Sequence, residues 1–178
     1  MNQPGLEELL SIENSRRNTD LIADLILKKP EFFVDLFQIY IKNKEPLSRR
    51  AAWVIDVVTD KLPDMILPYL EEIALKVSTF SHDGMKRESL KILSRSPLPV
   101  QHLGNLINIC FDWLTSGKES VAVKMFSMEL LYRISQQEPE LKKELADSIE
   151  WRMEEESPGF KAHGRKLLKR LSAELKDY

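Results

Sequence analysis

The residues in this chain best suited to chemistry are cations that recur in a series. Ser15-Arg16-Arg17 and Ser48-Arg49-Arg50 each open an apolar-periodic stretch, and Lys86-Arg87, Lys124 and Lys161 continue the pattern. Positions 17, 50, 87, 124 and 161 lie 33, 37, 37 and 37 residues apart. A cation in the first turn of an exposed helix opposes the macrodipole by about 0.3–1 kcal/mol, so each needs an offsetting partner. An acid stands four or five residues before each one: Glu13, Glu45, Asp83, Glu119 and Glu156. One acid per unit answers one base per unit and leaves Arg16, Arg49 and Lys86 over. Stacked at one repeat per step, these three make either a solvated surface or a positive strip suited to carboxylates or phosphates. Trp53 lies off the apolar face of its own stretch, as a binding anchor or as packing against a neighbouring unit. Arg16, Arg49, Lys86 and Trp53 are the candidate binding residues. If the three bases are unpaired, replacing all of them by alanine keeps stability or raises it slightly, whereas Arg50→Ala costs about 1 kcal/mol.

Other chemistries lack their residues. His82, His102 and His163 are 20 and 61 residues apart, and with the single Cys110 no zinc-binding spacing can be drawn. Gly117-Lys118-Glu119-Ser120 has neither the glycine loop nor the adjacent serine of a phosphate-binding loop, and no Gly-x-Ser-x-Gly elbow occurs. Glu154-Glu155-Glu156 are consecutive carboxylates at a helix end, which point in different directions and read as a solvated run. No catalytic residue, metal or cofactor is expected. A net charge of −2 over 178 residues argues against a surface built throughout to grip nucleic acid. The chain begins without a basic-then-apolar leader, contains no stretch of about 18 uncharged apolar residues, and carries one cysteine, so the expectation is a cytoplasmic protein.

The elements that must position these residues are helices. Leu47, Ala51, Val54, Ile55, Val58 and Leu62 follow the spacing of one helical face. Ile66, Tyr69, Leu70, Ile73, Ala74 and Val77 do the same, and so do Leu103, Leu106, Ile107, Cys110, Trp113 and Leu114. No stretch alternates with period two. Nine or ten helices are predicted, in pairs. First helices fall near 31–43, 64–80, 99–115 and 139–154, second helices near 47–61, 84–95, 119–136 and 158–176. A lone second helix near 14–28 sits behind a short turn from Leu6 to Ser11. Pro63 and Pro139 fit a first helical turn, and Ser157-Pro158 reads as N-cap and N1. Trp113 and Trp151, at or beside apolar-face positions, are expected in the core or at its rim.

These residues resemble the HEAT and armadillo-like family of α-solenoids. Met65-Ile66-Leu67-Pro68-Tyr69-Leu70 looks like the family's first helix, kinked by an internal proline, and Arg50-Ala51-Ala52-Trp53-Val54-Ile55-Asp56-Val57 looks like its second. The acid that precedes each base is similar to the family's ladder between neighbouring repeats. The resemblance implies a right-handed all-α superhelix of about four helix pairs plus an N-terminal cap, in one domain over 1–178. It implies a concave face of second helices that binds macromolecules, here expected to be a protein with an acidic surface. The alternative is a nucleic-acid-binding solenoid or DNA alkylation repair glycosylase, for which Asp112-Trp113 and Trp53 with Asp56 are the residues that could serve. The last helix, with Lys161, Arg165, Lys166, Lys169, Arg170 and Lys176 opposite Leu167, Leu168, Leu171 and Leu175, is basic and amphipathic. It reads as the polar-backed end of the stack, or as a face for membranes or acidic partners.

Overall fold

A computed structural model describes residues 5–176. Its α-helices are α1 (Leu6–Ile12), α2 (Arg16–Lys28), α3 (Phe33–Ile41), α4 (Leu47–Lys61), α5 (Leu70–Lys76), α6 (Asp83–Arg95), α7 (Leu103–Thr115), α8 (Val121–Ile134), α9 (Leu141–Met153) and α10 (Pro158–Glu174). No strand occurs among the described residues. The segment expected to be a turn, Leu6 to Ser11, is the helix α1, whose Leu10 is buried in the core.

Serine starts three of the second helices. Ser15, Ser120 and Ser157 each accept a hydrogen bond from the backbone N–H three residues on, which satisfies an amide that the helix itself leaves unpaired. Ser48 stands at the equivalent sequence position but is buried inside α4, where its hydroxyl donates to the Ile39 carbonyl at 2.6 Å. The expected helix over 64–80 is broken into a 3-10 stretch at Pro63–Tyr69, then α5, then a 3-10 turn at Val77–Thr79. Pro68 has no N–H to give and its ring crowds the preceding turn, so regular α-helix begins only after it. Pro139 also lies outside its helix, in the turn before α9.

The helices form two layers. The even-numbered helices pack each against the next, α2 to α4 to α6 to α8 to α10. The odd-numbered helices lie behind them, with α1 against α3, and α5, α7 and α9 in sequence. Between α3 and the 3-10 stretch, the Phe37 and Tyr69 rings meet at 4.2 Å between centroids. One continuous apolar cluster runs between the layers, from Leu10 to Leu171. Each pair exposes apolar surface that only its neighbours cover, so stacking the pairs creates the core.

Candidate interaction surface

The cations of the recurring series are not free. Arg16 pairs with Asp20 one turn along α2 at 2.9 Å, and Arg49 pairs with Glu45 at 3.1 Å. Lys86 reaches Glu119, just ahead of α8, at 2.6 Å, with its ammonium 5.0 Å from the centre of the Trp113 ring. The reading of Arg16, Arg49 and Lys86 as bases left over, whether solvated or forming a strip, is therefore corrected: each has its own carboxylate, and Lys86 is buried. The ladder also shifts register. Its buried rungs join a base on one second helix to an acid that precedes the next, as in Lys86 with Glu119 and Lys124 with Glu156. The sequence pattern sets each acid beside the base four or five residues after it and casts Arg87 as the ladder residue. Arg87 instead holds its neighbour Glu88.

Arg50 has a different task. Its guanidinium donates to the Leu10 carbonyl at 2.6 Å, in the last turn of α1, where a positive group also complements the helix dipole. The same arrangement recurs along the chain. Arg133 of α8 donates to the carbonyls of Leu93 and Ser94 at the end of α6, and Asn105 of α7 to the carbonyl of Ala74 at the end of α5.

Trp53 is half-buried, with one side of the indole packed on the core. The rest lines a surface pocket of about 300 Å³ between α4 and α6, together with Asn14, Arg49, His82, Asp83 and Glu88. One turn further along α4, Asp56 is buried and locked by Lys91 at 2.6 Å and Arg95 at 2.8 Å, both from α6. Burial, and then the nearby Asp56, push the Glu88 carboxyl above its usual range. A second pocket of about 390 Å³ opens in the same layer at α8, lined by Ser94, Met125, Phe126, Glu129 and His163. Sequence reasoning missed Met125 and Phe126. The signal was present, since α8 carries apolar residues around more of its circumference than one core face needs.

The residues of the glycosylase alternative do not come together as that chemistry requires. Asp112 is exposed on α7, in the other layer, while Trp113 is buried beneath Lys86 and Asp56 is neutralised by two cations. Trp151 departs from expectation: it is 65% exposed, because α9 turns Lys142, Leu145, Ile149 and Arg152 inward and leaves the indole outside, 5.4 Å from the Arg152 guanidinium. The Cys110 thiol, buried and pushed up to about 12 by desolvation, is a packing group rather than a nucleophile at neutral pH. Among the described residues no helix is long and apolar enough to cross a membrane.

Comparison with known proteins agrees with this architecture. A family model described as HEAT repeat domain matches residues 6–171. No curated protein and no solved structure matches the chain. With paired helices stacked in two layers and buried rungs between successive units, and with the match running from α1 into α10, the chain belongs to the HEAT repeat family.

Proposed function

We propose that this protein is a non-enzymatic scaffold, one domain over residues 1–178, that binds a protein partner along the layer of second helices. HEAT repeat domains are helical scaffolds that typically mediate protein interactions. The observation that carries the reading is Trp53, an aromatic ring fixed on one side by the core and open on the other to a pocket between α4 and α6. A half-buried tryptophan gives large contact area for little loss of side-chain freedom, which is why such residues dominate binding energies. Arg49 serves as a wall of that pocket. Arg16 and Lys86, held by Asp20 and Glu119, offer no free cation to an acidic partner there.

The test is affinity capture from native lysate with the wild-type protein and with Trp53→Ala. A discrete partner retained by the wild type and lost by the variant supports the reading; the same set retained by both removes Trp53 as an anchor. Release of a methylated base from DNA by the purified protein, abolished by Asp112→Asn or Asp56→Asn, would replace the scaffold with an enzyme.

A further inference from the structure

Along α4, α6 and α8 every lysine and arginine has a partner. Arg49, Lys61, Lys86, Arg87, Lys91, Arg95 and Lys124 meet carboxylates, and Arg50 and Arg133 meet backbone carbonyls. The two end helices of this layer depart from that pattern: on α2 the exposed Arg17 and Lys28 stand eleven residues apart, whereas on α10 the departures are clustered. On α10, Arg165, Lys166 and Lys169 are exposed and make no hydrogen bond, ion pair or ring contact. Arg170 follows them, also exposed, with its guanidinium 5.9 Å from the Tyr132 ring centre. At offsets of zero, one, four and five, these four side chains form two adjacent rows on one face of the helix. Like charges at a spacing of four repel one another; Arg170 lies near Glu129 of α8, but no carboxylate pairs with Arg165, Lys166 or Lys169.

We infer that the outward face of α10, at Arg165, Lys166 and Lys169, docks an acidic segment of a partner protein. The sign of the charge excludes basic and plain apolar segments. The width of the patch separates an acidic segment from other polyanions. Helix α9 packs beside α10, and two exposed carboxylates, Glu150 near its end and Glu154 just after it, put negative charge there, Glu150 also interacting with Lys143. Packed helices lie about 8–10 Å apart, close to the screening length of about 8 Å at physiological salt. A nucleic-acid duplex or an anionic bilayer is wider than one helix and would bring its phosphates against those carboxylates. A single acidic segment can follow α10 alone and complete its charge pairing, as carboxylates of neighbouring units do for α6 and α8.

This inference rests on the reading of the chain as a protein-binding scaffold and adds a second contact to it. The experiment uses the full chain and a fluorescein-labelled alanine-based helical peptide with glutamate at every fourth position, followed by fluorescence anisotropy at about 50 mM salt. Arg165→Gln/Lys166→Gln/Lys169→Gln should weaken binding about tenfold or more and flatten its salt dependence. Lys28→Gln/Lys42→Gln/Lys44→Gln makes the same change in net charge elsewhere and should alter binding by less than about twofold. All six positions are exposed, and matching thermal unfolding curves would show that the variants fold. The inference is overturned if the wild type does not bind the peptide, or if both triple variants weaken it equally. It is also overturned if duplex DNA or phosphatidylserine vesicles compete as well as unlabelled peptide. Trp53→Ala should leave peptide binding unchanged, so failure of this contact and failure of the Trp53 anchor are read separately.

Discussion

Lys86 and Glu119 meet at 2.6 Å with side chains only 11% and 13% exposed, and this rung ties α6 to the approach to α8. Desolvating two charges consumes much of their attraction, so such a pair adds little net stability when intact but is costly to break. Lys86→Ala should therefore lower stability by about 3 kcal/mol, because it strands a carboxylate away from water. The expectation that alanine at Arg16, Arg49 and Lys86 together preserves stability required unpaired bases, and each of them is paired. Urea unfolding checks it. Lys86→Ala should move the midpoint clearly, Arg16→Ala should not, and Lys86→Met/Glu119→Leu should recover most of the loss. Equal midpoints for Lys86→Ala and wild type would contradict a buried rung.

Arg133→Ala should cost about 1–2 kcal/mol, since the Leu93 and Ser94 carbonyls at the end of α6 lose a charged donor. Arg133→Lys should recover only part of this, because the Nη1 that donates to both carbonyls stands one bond farther from the backbone than a lysine ammonium reaches. Denaturant midpoints for the three proteins give the comparison, and full recovery by lysine would show that charge alone matters.

Acid should loosen the C-terminal pair first. Glu129 is held below the usual carboxylate range by His163, whose Nε2 lies 2.7 Å from its carboxylate, and Glu174 by hydrogen bonds from Tyr132 and Lys142. For Glu156 burial acts upward, but the bonds from Lys124 and Arg152 outweigh it and its pKa is lowered. A carboxylate depressed in the folded state contributes stability that is fully present above the unfolded value of about 4.3 and fades as pH falls through the folded one. Glu88 has the opposite sign: its raised pKa means the folded state takes up its proton more readily, so acid favours the α4–α6 contact. Hydrogen exchange from neutral pH to about pH 3 should show protection lost in α10 before α4. Loss in α4 first would refute the assignment.

Two glycines should respond in opposite directions. A Cβ at Gly104, in the first turn of α7, meets nothing within 4 Å, so Gly104→Ala should gain about 0.5 kcal/mol from helix propensity. A Cβ at Gly164 would lie 3.0 Å from Ile149 Cγ2 and 3.2 Å from Met153 Sδ, where α10 crosses α9. Ile149 is fully buried and has no room to yield, so Gly164→Ala should lose about 1 kcal/mol despite the same propensity gain. Thermal melts of both variants decide it.

The helices were legible because burial imposes period: α4 occupies Leu47–Lys61 as its apolar spacing predicts. The proline break before α5 reads as a kink because sequence shows the missing donor but not how far the backbone departs from α geometry. Charge pairing was the least legible part. Spacing sets Asp83 beside Arg87 and Glu119 beside Lys124 in a ladder between neighbouring repeats; the buried rungs do run between units, but with other members, from Lys86 to Glu119 and from Lys124 to Glu156. Partners more than 30 residues apart are chosen by how the helices stack, and a local pattern carries no information about that. Trp53 is legible because it is a large aromatic residue off the apolar face of α4. Met125 and Phe126 did not, since apolar side chains on a helix read as core until packing shows which are left over.

The side chains that finish helix ends come from the next unit: Arg50 on Leu10, Asn105 on Ala74, Arg133 on Leu93 and Ser94. A repeat cut out of this chain would leave bare carbonyls on the unit before it and carry away donors with nothing to cap. The repeats are therefore not interchangeable modules. Deletion or shuffling of an internal helix pair should damage both junctions it touches, and a melting front entering from one end should halt at well-sealed junctions and advance across the others.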